Sequence, residues 1–205
     1  MNENNQDAIN PQKRAISEKL LTRRAIKKNY RRKLEAAIEE GGIDTLTQLP
    51  NRRGFQRNLS TEISRAERTG QTLSIMYLDL NGLKAINDDK VKGGHDMGDK
   101  YIQTAAQVLR THLRSTDVVA RIGGDEFAAI LPNADLAAVE KIWNEQLSPA
   151  FEASKPRIKI SAGASILDPK IDPDGTLTLK SADENLYRAK DIAHKTGQSP
   201  LVTKQ

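Results

Sequence analysis

The chain of 205 residues has no cysteine and only three histidines, His95, His112 and His194. These scarcities exclude disulfide frameworks, thiolate zinc sites, iron–sulfur clusters and cysteine nucleophiles, and leave any metal chemistry to carboxylate oxygens. No run approaches the ~20 consecutive apolar residues of a membrane helix. The opening MNENNQDAINPQKR has no apolar segment of the kind a secretory signal carries. A cytoplasmic protein is the expectation. There is no G-x-x-x-x-G-K-[ST] run, which excludes a P-loop.

What is present is 37% hydrophobic and 29% charged residues with a net charge of +5, enough for one globular domain with an appendage. The positive charge is local. Residues 12–40 hold ten Lys/Arg against four Glu, so the remainder of the chain is slightly acidic. The polar, Asn-rich residues 1–11 read as disordered. Residues 12–42 read as a basic amphipathic helix, with Ile16, Leu20, Ile26, Tyr30, Leu34 and Ile38 on its apolar stripe and Gly41-Gly42 as its stop. Its basicity suits a solvated surface, an anionic partner or a signalling and dimerisation arm. With Tyr30 its one aromatic, base stacking has little support and no stable nucleic acid partner is expected.

From residue 43 to 199 the pattern alternates between helical and strand periods. Phe55, Leu59, Ile63 and Ala66 mark a helix, and Thr72 to Leu80 reads as a buried strand. Ile102, Ala105, Ala106, Leu109 and Leu113 share one helical face. The runs 118–122 and 127–131, separated by Gly123-Gly124-Asp125-Glu126, read as a hairpin. A helix through Leu136, Val139, Trp143 and Leu147 follows, then an alternating strand over 157–166 and a helix carrying Leu179, Ala182, Leu186, Ala189 and Ala193. This order predicts an α/β sandwich with a ferredoxin-like βαββαβ palm core, an antiparallel sheet and extra flanking helices. Residues 200–205 read as a tail.

Asp79 ends the first buried strand, and Asp125 and Glu126 occupy the hairpin turn. In a ferredoxin-like order these strands are neighbours, so the carboxylates converge at one sheet end. Oxygen ligands without His or Cys suit a hard cation, Mg²⁺ or Mn²⁺, shared with substrate phosphates. Asn81, Gly82 and Lys84 follow the strand, where a glycine turn and a lysine suit phosphate oxygens. Asn87 and Asp99 bracket a glycine-bearing loop, where an amide and a carboxylate can read a guanine edge; taken singly each also suits a turn or helix cap.

Arg121-Ile122-Gly123-Gly124-Asp125-Glu126-Phe127 resembles the signature of the GGDEF family, the diguanylate cyclases. The resemblance extends in order through Asp44 to Arg53 (DTLTQLPNRR), Asp79 to Asp88 (DLNGLKAIND), Gly94 to Asp99 (GHDMGD), Ser161-Ala162-Gly163 and Ala182 to Lys190 (ADENLYRAK), covering residues 43 to 197. It implies condensation of two GTP into cyclic di-GMP by an antiparallel homodimer with one GTP per subunit, the 3′-hydroxyl of one GTP attacking the α-phosphate of the other. It implies that Asp79 and Asp125 hold the metal with help from the Leu80 backbone carbonyl, and that Glu126 is either a further metal ligand or the group that helps deprotonate the 3′-hydroxyl. Asn87 and Asp99 would recognise guanine, and Lys84 and Lys190 the phosphates, beside Asn81, Gly82 and Leu83. Arg114-Ser115-Thr116-Asp117, with Arg121 following, falls in the register of the family's R-x-x-D product-inhibition site; an arginine at a helix end followed by a turn aspartate is its structural counterpart. The sequence departs from the family pattern in a longer loop over 89–93, in Gln48 and Asn81, and in Lys190-Asp191-Ile192-Ala193-His194-Lys195, where His194 replaces a phosphate-binding arginine or hands that role to Lys195. A domain of weak activity that acts as a cyclic di-GMP or GTP receptor is the alternative expectation, and an upstream sensor or partner acting through the N-terminal helix is the expected regulator. Asp99 argues against a mixed dinucleotide product.

Overall fold

The computed structural model describes residues 41–89, 91 and 94–203. The disordered N-terminus and the basic helix anticipated over 1–42 lie, but for the last two residues, outside the described residues, and the chain divides into a unit over 1–40 and a second over 41–205. Among the described residues no helix is long and apolar enough to cross a membrane.

The second unit runs α1 (Arg52–Thr69), β1 (Leu73–Leu80), α2 (Leu83–Asp88), α3 (Gly94–His112), β2 (Val118–Arg121), β3 (Glu126–Pro132), α4 (Leu136–Ile142), a π-helical stretch (Trp143–Leu147), α5 (Ser148–Ala153), β4 (Ile160–Leu167), α6 (Thr176–Thr196) and β5 (Leu201–Thr203). The sheet order is β2-β3-β1-β4-β5. Its first four strands have the ferredoxin-like order the sequence predicts, and β1 pairs antiparallel with both β3 and β4. The expected tail instead supplies β5, which pairs parallel to β4 through Ala162↔Leu201, Gly163↔Val202 and Ala164↔Thr203, so the sheet is antiparallel except at this edge.

Both faces of β1 are buried because its apolar run is continuous. Met76, Leu78 and Leu80 join Tyr101, Ile102, Ala105 and Leu109 of α3 and Trp143, Leu147 and Phe151 in one core. Leu73 and Ile75 point the other way, into a second core with Phe55, Leu59, Ile63 and Ala66 of α1. Each fully buried large side chain contributes about 1.5–3 kcal/mol. Asn51 caps α1, its side chain accepting from the Gly54 amide at 3.0 Å, and Gly70 ends it in a left-handed conformation.

Sequence periodicity predicts one helix through Leu147, whereas the structure widens it at Trp143–Leu147 and continues to Ala153. Trp143, Leu147 and Phe151 recur every fourth residue, slightly more than one α-turn, and the wider turn keeps all three buried.

α6 packs against β4 at Gly163, where an added Cβ would run into the backbone of Ala182, Asn185 and Leu186. Close approach of helix and sheet at this point sets the height of α6 over β1, and so the position of the residues further along the helix.

Candidate active site

The alternation along β1 decides which face its last residues serve. Asp79, two residues beyond Tyr77, lies on the face covered by α6, and the Asp79↔Glu126 register puts the hairpin's acidic turn beside it. The turn is fixed there by the Leu80 amide, which donates to the Asp125 carbonyl at 3.0 Å. On the other flank the Asn81 amide donates to the Lys159 carbonyl at 2.8 Å. The Asn81 side chain donates to Ser161 Oγ at 2.9 Å, and the Tyr101 hydroxyl accepts from the Lys159 amide at 2.7 Å. Gly82, at φ +84, then turns the chain into α2.

These segments enclose a cleft of about 460 Å³ lined by Asp79, Leu80, Asn81, Gly82, Leu83 and Lys84, by Asp125, by Lys159, and by Lys190, Ala193, His194, Gly197 and Gln198. Lys190 Nζ donates to Asp79 Oδ2 at 2.6 Å across 111 residues of chain. Burial raises the Asp79 carboxyl above its ordinary range, and the nearby charges of Asp125 and Glu126 push the same way, while Lys190 opposes them. Three lysines against two aspartates leave the lining cationic, a surface suited to a polyphosphate.

The expected site residues are thereby sorted. Asp79, Leu80, Asn81, Gly82, Leu83, Lys84, Asp125, Lys190 and His194 share the cleft. Lys195 is instead bonded to Asp191 at 2.6 Å on the solvent side of α6, and of the two only His194 lines the cleft. Glu126 is turned out of the cleft. Its carboxylate lies 3.6 Å from Arg52, and it lines a separate cavity of about 340 Å³ with Arg52, Tyr77 and Asp183. Arg52 is itself held by Nε donating to the Ile122 carbonyl at 3.0 Å. Asn87 and Asp99 stand apart from this cleft's lining; the Asn87 side chain lies against Gly98, where any Cβ would displace it, so the amide is seated on α3 at the residue that precedes Asp99 in the chain.

Among the described residues no three Asp, Glu or His side chains converge closely enough to hold a metal ion by themselves. The donor chemistry nonetheless fits a hard divalent cation. Asp79 and Asp125 face one cleft with Leu80, all donors are oxygens, and an ammonium group already sits on Asp79.

Arg114 and Asp117 share a second groove of about 450 Å³ with Gln48, Asn58, Arg110 and Ser115. The Arg114 amide donates to Asp117 Oδ2 at 2.8 Å, and the Asp117 amide donates to the Arg114 carbonyl at 3.0 Å, which is the turn geometry the sequence allows. Burial raises the Asp117 carboxyl, partly offset by Arg114. Arg121, expected beside this pair, is engaged elsewhere. Its Nη1 bonds both carboxylate oxygens of Asp44 at 3.1 and 3.3 Å, and its Nη2 donates to the Gly124 carbonyl at 2.8 Å. It ties the segment entering the domain to the Gly123-Gly124 turn.

Sequence reasoning missed Lys159, Arg52 and Arg110. The strand-like alternation over 157–166 places Lys159 off its apolar face, a signal for exposure that carries no information on which cleft it faces.

A ferredoxin-like palm whose central strand ends beside an acidic hairpin turn, with three lysines lining the same cleft, is an α/β domain that gathers carboxylates and ammonium groups at one end of its sheet. Comparison with known proteins gives the particular family. Residues 42–196 match the family described as diguanylate cyclase, GGDEF domain. The chain is 34% identical over 181 residues to diguanylate cyclase DgcP of Pseudomonas aeruginosa, covering 86% of this chain and 26% of that protein. It is 34% identical over 163 residues to diguanylate cyclase DosC of Escherichia coli, covering 76% of this chain and 34% of that protein. Among solved structures, the GGDEF domain of DgcB from Caulobacter crescentus in complex with c-di-GMP superposes with a TM-score of 0.68 at 26% identity, covering 80% of this chain and 93% of that one. The chain belongs to the GGDEF diguanylate cyclase domain family. It spans about a quarter to a third of the length of these two curated relatives.

Proposed function

We propose that this chain is a diguanylate cyclase, condensing two GTP into cyclic di-GMP and two pyrophosphates. The observation that carries the reading is the single cleft in which Asp79 and Asp125 stand among Lys84, Lys159, Lys190 and His194. The complete Gly-Gly-Asp-Glu-Phe turn and the diguanylate cyclases among its relatives support it.

In this reading Lys84, Lys190 and His194 bind the triphosphate, and Asn87 with Asp99 recognises guanine through complementary donors and acceptors. Asp79, Asp125 and the Leu80 carbonyl would hold Mg²⁺ or Mn²⁺, with Glu126 joining them after leaving Arg52. A cation bound there supplies stabilisation of the charge that develops on the phosphate oxygens. The 3′-oxygen of one GTP bonds to the α-phosphorus of the other, the bond from that phosphorus to the pyrophosphate oxygen breaks, and the 3′-hydroxyl proton passes to Glu126 or to water. A second, identical transfer closes the ring. One nucleotide per cleft requires two chains face to face, so the active form is an antiparallel homodimer, and Arg114 with Asp117 binds product as a feedback site.

The test pairs a pyrophosphate-release assay on GTP and Mg²⁺ with calorimetric titration of cyclic di-GMP. Release in the wild type and its loss in Asp125→Ala, with cyclic di-GMP binding kept in that variant and lost in Arg114→Ala, is the expected result. No release with cyclic di-GMP binding intact makes the domain a receptor and overturns the reading.

A further inference from the structure

We infer that Lys190 is an exchangeable internal counter-ion, which keeps Asp79 closed to divalent cations until a nucleotide triphosphate draws the ammonium away. This deepens the proposed cyclase reading and rests on it only for the nature of the nucleotide.

The Asp79 side chain is 10% exposed and that of Lys190 is 35% exposed, and 2.6 Å separates Nζ from Oδ2. The acid is therefore fixed at the cleft wall while the base reaches it from a more open position on α6. Burial disfavours a bare carboxylate at Asp79, so in the nucleotide-free protein the ammonium satisfies it. The same cleft carries Lys84 and Lys159, and the lining sums to three ammonium groups against two carboxylates. The other acid of the turn, Glu126, is turned towards Arg52. A divalent cation approaching this cleft without nucleotide thus meets a net positive surface and a ligand that already has a partner. A triphosphate reverses both conditions. It brings several negative charges, and its oxygens offer Lys190 an acceptor stronger and less buried than Asp79. Once Lys190 moves to phosphate, Asp79 stands as a desolvated carboxylate beside Asp125. Nucleotide and cation then bind with positive coupling, and linkage makes the coupling reciprocal.

The experiment measures Mn²⁺ binding to the full chain by paramagnetic resonance of free Mn²⁺, with and without GTP carrying a methylene bridge between its α- and β-phosphates, so that no turnover is needed. Binding of Mn²⁺ to the nucleotide alone is subtracted. In the wild type the expected result is weak Mn²⁺ binding without nucleotide, strengthened by at least about tenfold with it, as removal of one adjacent positive charge implies. Lys190→Gln raises nucleotide-free Mn²⁺ affinity by about tenfold and flattens the coupling, and Lys190→Arg keeps the wild-type pattern. Lys84→Gln, which removes an equal charge from the same cleft without touching Asp79, produces a smaller rise. Asp79→Asn abolishes the nucleotide-free site in the Lys190→Gln background. Tight nucleotide-free Mn²⁺ binding in the wild type, an unchanged affinity in Lys190→Gln, or an equal effect in Lys84→Gln overturns the proposal. A chain that makes no cyclic di-GMP from GTP contradicts the cyclase reading and leaves these titrations readable.

Discussion

Replacing Gly163 by alanine tests how the sheet positions α6, the helix that carries Lys190 and His194 to the cleft. Gly163 faces Tyr77 across β1 and β4, and the space above it belongs to the Leu186 amide, the Ala182 carbonyl and the Asn185 carbonyl carbon. All three are backbone atoms, so no side-chain rotation relieves the overlap, and α6 must lift from the sheet. Overpacking a core costs about 1–3 kcal/mol where side chains can yield; a backbone obstacle puts this substitution at about 3 kcal/mol, the upper end of that range. With a urea slope of about 2 kcal/mol/M, the unfolding midpoint falls by about 1.5 M. Because α6 also carries Lys190 and His194 to the cleft, the KM for GTP rises in the same variant. Gly124→Ala is the control, since an added Cβ there meets nothing, and its stability stays within about 0.5 kcal/mol of the wild type. A midpoint shift below about 0.3 M for Gly163→Ala would refute the close-approach argument.

Three further substitutions follow from the geometry. Burial raises the Asp117 carboxyl above its ordinary 3.8, so the folded state favours the neutral acid and carries a penalty above the raised value that vanishes below the ordinary one. Asp117→Asn, which keeps an acceptor for the Arg114 amide, is accordingly more stable at pH 7 than the wild type, with the gap closing in urea titrations as pH falls through the carboxylate range, while cyclic di-GMP binding is lost. Arg121→Ala breaks a pair whose side chains are 14% and 19% exposed together with the bonds to Gly124, lowering stability by about 2 kcal/mol in urea unfolding and slowing turnover. His194→Arg gives the triphosphate a forked donor and lowers the KM for GTP by about threefold or more in initial-rate kinetics, with kcat nearly unchanged.

Local signals carried most of the fold. β1 was readable because an uninterrupted apolar run suits a strand buried on both faces, and the β2–β3 hairpin because glycines mark its turn. β5 was not, since Leu201–Thr203 is three residues long and its place is set by parallel pairing to β4 rather than by its own pattern. At the site, Asp79, Asp125 and Lys84 were legible from strand ends and turns. The Asp79–Lys190 and Asp44–Arg121 pairs join residues 111 and 77 positions apart, a scale on which periodicity is silent. Glu126 shows the limit most clearly. Register puts it opposite Asp79, yet the Arg52 guanidinium, brought close by the start of α1, turns its carboxylate into the neighbouring cavity.

The most direct test of the account is chromatography of the products formed from GTP and Mg²⁺ over a range of chain concentrations, beside Asp125→Ala. The account expects cyclic di-GMP, made at a rate per chain that rises with concentration as paired half-sites assemble, and none from the variant. A rate per chain independent of concentration down to the lowest detectable level would contradict paired half-sites that assemble from separate chains, and an absence of cyclic di-GMP from the folded wild type would contradict the assignment of cyclase activity.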